Sequence, residues 1–208
     1  SLAQMLRNYL AFLRSRTYVG YVLCNSATFS GLFAFISGSA FVFIDVLGLS
    51  PHLYGFCFAA AVGGYIAGTM FAGRMTLRLG IDRMVRLGAA ACAVGGVLMA
   101  GPVLAGYEAV WSVLAPMVLY TAGVGMVMPN SMAGALGPFP TAAGAASALL
   151  GFIQMAIAAA VGIAVGAAFD GTARPMALTI AVMGVSSAVA YKLLIGRHVR
   201  RAGGSTAE

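Results

Sequence analysis

Charges are so sparse along this chain that they work as boundary marks between long apolar runs. Residues 17–44, 46–73, 87–107 and 109–169 contain no Lys, Arg, Asp or Glu. Each exceeds the roughly 20 residues that a helix needs to cross about 30 Å of hydrocarbon. As one helix, the run 109–169 would be about 90 Å long, thicker than any bilayer, so it must fold back. Pro129, Gly134, Gly137, Pro138 and Pro140 mark the place. The last run, 175–191, crosses only with the help of its flanks. The pattern therefore predicts six spans at about 17–41, 52–73, 84–106, 109–133, 141–168 and 174–195. In hydrocarbon every backbone amide needs an internal partner, which leaves helices or a closed barrel. A barrel requires alternation, and Ala89–Ala93 and Ala156–Ala168 have none. The expected fold class is an all-α membrane protein of six transmembrane helices.

Ahead of the first span, residues 1–16 place Leu2, Leu6, Leu10 and Leu13 three and four apart with arginines between them. This is an amphipathic helix suited to a membrane surface or to tethering one bundle to another. Residues 196–208 form a basic tail.

The basic residues set the orientation. Arg7, Arg14 and Arg16 precede span 1; Arg74, Arg78, Arg83 and Arg86 lie in the loop after span 2; Lys192, Arg197, Arg200 and Arg201 follow span 6. With alternating spans all of these share one face, and the other face keeps Arg174 with Asp45, Glu108 and Asp170. The positive-inside rule places that first face, with both termini, in the cytoplasm.

Composition agrees and removes alternatives. Hydrophobic residues make up 61% of the 208 and charged residues 8%, against about a quarter charged in a soluble domain. The net charge of +7 comes from short clusters beside apolar runs, a placement that fits anionic lipid and not nucleic acid. Cys24, Cys57 and Cys92 form no C-x-x-C pair, so neither zinc nor a disulfide framework is suggested. The two histidines, His52 and His198, fall at a span end and in the tail, and no nucleotide-binding glycine loop is present. Neither an enzyme nor a cofactor is expected. The first apolar run is too long for a signal peptide, and the start at Ser1 suggests a piece of a longer protein.

Small residues recur four apart at Gly64/Gly68, Gly144/Ala148, Ser147/Gly151 and Gly162/Gly166, a pattern that lets helices cross closely. Within the spans, Asn25, Phe29, Phe33 and Ser37 form a stripe on span 1, while Tyr120 and Asn130 lie on span 4 and Gln154 on span 5. Amides in hydrocarbon face the bundle or a wet cavity. They serve either as interhelical hydrogen bonds or as the wall of a site for an amphipathic substrate. No charged group lies deep in any span, so a proton-coupling residue is not evident.

The segments GLFAFISGSAFVF (31–43) and GLSPHLYGFCFA (48–59) resemble the seventh and eighth helices of the major facilitator superfamily. The segment VMPNSMAGALGPFPTAAGAASALLGFIQM (127–155) resembles the tenth-to-eleventh helix junction of its Bcr/CflA drug:proton antiporters, including Pro129-Asn130 and Ala146–Gly151. The cytoplasmic motif G-x-L-A-D-R-x-G-R-K has a weak copy in Gly73, Arg74, Arg78, Gly80 and Arg83, with Leu77 in place of the aspartate. The resemblance implies a C-terminal half with two inverted three-helix repeats, 17–106 and 109–195. Spans 1 and 4 would then line a central cavity, spans 2 and 5 would meet the N-terminal half, and spans 3 and 6 would face lipid. It further implies efflux of amphipathic drugs in exchange for protons across a bacterial inner membrane. Two other readings stay open from the residues: a truncated or non-transporting membrane subunit, and a six-helix metabolite carrier acting as a homodimer.

Overall fold

The computed structural model describes residues 2–196, with side chains from Arg7 onward; the basic tail beyond Gly196 lies outside the described residues. Helix α1 spans Leu2–Arg14, α2 Arg16–Ala40, α3 Pro51–Leu79, α4 Ile81–Leu104, α5 Val110–Leu136, α6 Ala143–Ala167 and α7 Arg174–Ala190. Helices α2 and α7 each continue into a wider π-helical turn, Phe41–Val46 and Tyr191–Ile195. Each helix from α2 to α7 is long and apolar enough to cross a membrane. The chain is a multi-pass membrane protein.

Local chemistry starts these helices where the charge pattern ends. The Ser15 hydroxyl accepts from the Tyr18 amide (3.3 Å) and the Ser50 hydroxyl from the Leu53 amide (3.4 Å), capping α2 and α3. Pro51 and Pro175 sit in first turns, where no intrahelical donor is lost.

One expectation changes. Arg74 and Arg78 do not lie in a loop: α3 stays helical to Leu79, and α4 begins at Ile81. The reversal is made by Gly80 alone, at φ 81° and ψ 160°, a backbone region essentially reserved for glycine. The helices outrun the hydrophobic stretch because an arginine-bearing helix is stable beyond the hydrocarbon, where its side chains reach water and headgroups.

Packing proceeds through close backbone approach. A Cβ at Gly88 would come 2.8 Å from the Gly123 carbonyl oxygen, holding α4 to α5, and one at Gly96 would come 2.7 Å from the Ala181 Cα, holding α4 to α7. Gly64 and Gly68 press on Thr121, Val118 and Ala122 of α5. Among the other small-residue pairs, Gly162 supports the Phe33 ring, while Gly144, Gly151 and Gly166 meet nothing.

The contacts obey a symmetry. Helix α2 packs in parallel with α6 through Tyr18–Ala146 and Asn25–Gln154. Helix α5 packs in parallel with α3 through Gly68–Ala122 and Thr76–Asn130. Helix α2 also packs on α7 and α5 on α4, while α2 meets α5 and α4 meets α7. Exchanging α2, α3, α4 with α5, α6, α7 returns the same arrangement, and each partner runs the opposite way: two inverted three-helix repeats. Helices α2 and α5 are central, and α4 and α7 back them. Helices α3 and α6 flank them without a packed interface between the two, leaving a cleft.

The arginine-bearing end is tied inward by the Tyr21 hydroxyl, which donates to the Asp82 carboxylate on α4. At the opposite end Glu108 accepts from the Ala173 amide (3.3 Å) beside the start of α7, where a carboxylate complements the helix dipole. Helix α1 docks through Phe12, buried against Phe139 (4.8 Å between ring centroids) and Tyr18 (5.4 Å). Its Leu10 and Leu13 remain exposed.

Two outcomes check this account. Gly80→Ala, whose methyl group meets only open space, destabilises by about 1–3 kcal/mol through backbone strain alone, read as a lower melting temperature in detergent. Gly96→Leu, driven into the α7 backbone, abolishes the monodisperse folded species on size exclusion, whereas Gly166→Leu leaves it intact.

Candidate functional site

The cleft between α3 and α6 has its floor on α2 and α5. Asn25 and Gln154, separated by 129 residues in sequence, meet there: the Asn25 side-chain amide donates to Gln154 Oε1 at 2.6 Å. Both are buried, and Asn25 Oδ1 has no partner among the described residues. The pair forms one wall of a cavity of about 300 Å³, with Tyr65 and Thr69 from α3, Met128 and Met132 from α5, and Ser147 from α6. Every polar group on this wall is uncharged.

The cavity exists where it does for local reasons. Asn25 lies on the α2 face that carries Phe29 and Phe33, whose rings stack at 6.3 Å. Gly162 leaves room for Phe33 against α6. Ser37 is exposed farther along the same face, toward the acid-bearing end.

Two residues expected in the substrate wall lie elsewhere. Tyr120 is fully buried; its hydroxyl donates to the Thr28 carbonyl (3.1 Å), and its ring rests on Gly31. It joins an interior polar cluster in which the Thr28 and Ser187 hydroxyls lie 2.7 Å apart and Cys24 Sγ sits 3.1 Å from Ser187. Asn130 donates to the Met126 carbonyl (2.8 Å), and its Oδ1 accepts from the Thr76 hydroxyl (3.0 Å), tying α5 to the end of α3. The physical reason is helical phase. Tyr120 and Asn130 lie on faces of α5 turned toward α2 and α3, not toward the opening. In the motif copy, Arg74, Arg78 and Arg83 are exposed at the helix ends on either side of Gly80.

Sequence reading missed Tyr65 and Thr69, which reach the cavity from α3, and Ser147, noted only for its size. A signal was present: Tyr65 and Thr69 are polar residues four apart in a span, one position past the Gly64/Gly68 pair.

The described residues thus form a six-helix membrane bundle in inverted repeats, with an uncharged polar cavity opening into a cleft. No family model matches the chain. It is 27% identical over 197 residues to the Bicyclomycin resistance protein homolog of Haemophilus influenzae, covering 95% of this chain and 49% of that protein. It is 31% identical over 151 residues to Multidrug resistance protein D of Escherichia coli, covering 73% of this chain and 38% of that one. Multidrug transporter MdfA of Yersinia pestis is 28% identical over 157 residues, 76% of this chain and 38% of its own length. These relatives are drug-efflux transporters of the major facilitator superfamily, and the chain matches their Bcr/CflA group. It spans at most about half the length of the curated relatives it matches.

The Asn25–Gln154 pair is testable without any substrate. Gln154→Leu leaves the Asn25 amide without its acceptor and costs about 1–3 kcal/mol. Adding Asn25→Leu recovers part of that loss, because both polar groups are then gone. Thermal unfolding of the two single variants and the double variant measures the coupling.

Proposed function

We propose that this chain is the C-terminal half of a multidrug exporter of a bacterial inner membrane, moving amphipathic molecules outward in exchange for protons, with both termini in the cytoplasm. The observation that carries the reading is the uncharged cavity at the base of a cleft whose flanking helices have uncovered faces. Gly55, Gly63 and Gly73 of α3 and Gly144, Gly151 and Gly166 of α6 meet no atom within 4 Å. Six further helices would cover those faces and close the cleft into a chamber. The relatives, about twice as long and bearing drug-resistance names, support that complement.

In this reading the half supplies recognition and not coupling. Asn25, Gln154, Tyr65 and Ser147 offer hydrogen bonds, and Met128, Met132, Phe29 and Phe33 offer adaptable apolar contact. Methionine-rich walls accept ligands of varied shape. Since no carboxylate lines the cavity, the titrating group that exchanges protons belongs to the other half. Transport follows from rocking of the two halves about the cleft, with flat glycine faces on α3 and α6 as the sliding surfaces. Tyr120 and Asn130 act by holding α5 against α2 and α3, and Ser37 lies on the chamber wall. The arginines around Gly80 lie on the cytoplasmic side.

With the other half supplied, cells export a fluorescent amphipathic dye, and a protonophore abolishes the export. Gln154→Leu changes the ranking of exported compounds, whereas Phe152→Leu, at an exposed position of α6 outside the cavity, does not. Equal export by the 208-residue chain alone excludes the division of labour. Cysteines placed at Arg78 and in the C-terminal tail are both shielded from an impermeant thiol reagent in intact cells.

A further inference from the structure

Helix α1 presents three faces. On the first, Phe12 is buried against Phe139 and Tyr18, with the Tyr9 ring beside it at 6.3 Å. At about 100° per residue, Leu10 and Leu13 share a second arc, and Arg7 and Arg14, seven residues apart, share a third. All four of these side chains are exposed. A helix lying in a membrane interface uses this arrangement, with its apolar arc in the acyl boundary and its arginines at headgroup level.

The helix lies at that boundary. It ends at Arg14, and Ser15 caps α2, the first membrane-spanning helix. Its other packing is against the start of α6, around Ala142, Ala145 and Ala146. The surrounding charge has one sign. Residues 1–44 contain no Asp or Glu. Arg16 is exposed beside α1, and Arg74, Arg78, Arg83 and Arg86 are exposed at the same end of the bundle. Asp82, the sole acid at that end among the described residues, already accepts from the Tyr21 hydroxyl. A protein docked here would need a matching acidic patch, whereas an anionic leaflet presents negative charge everywhere.

Phe12 also links this surface to the polar cavity. Tyr18, against which it packs, donates its hydroxyl to the Ala146 carbonyl at 2.6 Å. Leu150, one turn farther along α6, belongs to the same apolar cluster as Phe12 and lines the cavity. Phe139, its other partner, lies in the turn between α5 and α6. Whatever holds α1 in place therefore holds that turn and one wall of the cavity.

We propose that α1 is an anionic-lipid clamp: Arg7 and Arg14 bind phosphate headgroups, Leu10 and Leu13 enter the acyl boundary, and Phe12 passes the hold to the α5–α6 turn. The partner is a diacyl phospholipid with a net negative headgroup.

The test places the protein, expressed from its native gene, in nanodiscs of phosphatidylcholine and phosphatidylglycerol. Leu13→Cys carries a fluorophore; Cys24, Cys57 and Cys92 are buried, and protein without that substitution gives the background. Nitroxide-labelled phosphatidylglycerol quenches the fluorophore about fivefold more than nitroxide-labelled phosphatidylcholine at equal mole fraction, the effect of one arginine near an anionic surface. Arg7→Gln combined with Arg14→Gln brings that ratio close to one while both lipids still quench. Phosphatidylglycerol also raises the melting temperature above that in phosphatidylcholine alone. Phe12→Ala removes most of the rise, and Phe12→Leu replaces it if the alanine variant does not fold. Absence of quenching by either lipid means that protein covers the leucines and overturns the proposal. So does equal quenching by the two lipids, or a ratio that the arginine substitutions leave unmoved. A melting rise undiminished in the Phe12 variants overturns the link to the α5–α6 turn.

Discussion

Lipid tails are as apolar as leucine, so hydrocarbon offers apolar helices no reason to associate. Close backbone approach supplies that reason, and the bundle depends on it. Gly88 and Gly95 let α4 close on α5, Gly96 and Gly184 bring α4 onto α7, and Gly64 and Gly68 seat α3 on α5. These contacts are short, numerous and lined by backbone atoms, so they fix helix rotation as well as distance. Everything at the cleft inherits its position from those rotations.

The same glycine chemistry explains why the site is where it is. Where a glycine meets a neighbour's backbone, two helices are locked; where it meets nothing, as on the open faces of α3 and α6, the face is left uncovered among the described residues. The inverted pairing of α2 with α6 and α5 with α3 makes the locked contacts cluster behind the cleft. In the interior, Thr28, Ser187 and Cys24 pair with one another and Tyr120 donates to the Thr28 carbonyl. At the cavity, Asn25 Oδ1 has no partner among the described residues.

Along the membrane normal the cleft changes character. Toward the arginine-bearing end it offers amides, hydroxyls and methionines; toward the acid-bearing end it offers phenylalanines braced by a tyrosine. This polarity gradient arises from ordinary placement, since the face of α2 that begins with Asn25 continues through Phe29, Leu32 and Ile36.

Much of this was legible in the chain. Charge-free runs set the number of crossings, since the cost of a buried charge acts residue by residue and needs no neighbour. Arginine clustering marked one end for the same reason, and Gln154 and Asn25 declared themselves as amides in hydrocarbon. Helix phase was not legible. The sequence could not say that Tyr120 turns inward, that Asn130 clips α5 to α3, or that Tyr65 and Thr69 reach the cavity. A span uniformly apolar on all sides shows no preferred face, so only packing chooses one. Nor could it say that residues 74–79 stay helical, because a basic helix end and a basic loop look alike until Gly80 is seen to make the turn alone. The sequence by itself determined how many helices cross, because transfer into hydrocarbon is a local property. Which side chains share the cleft was decided only by tertiary structure, because that depends on rotations fixed by glycine contacts between helices far apart in the chain.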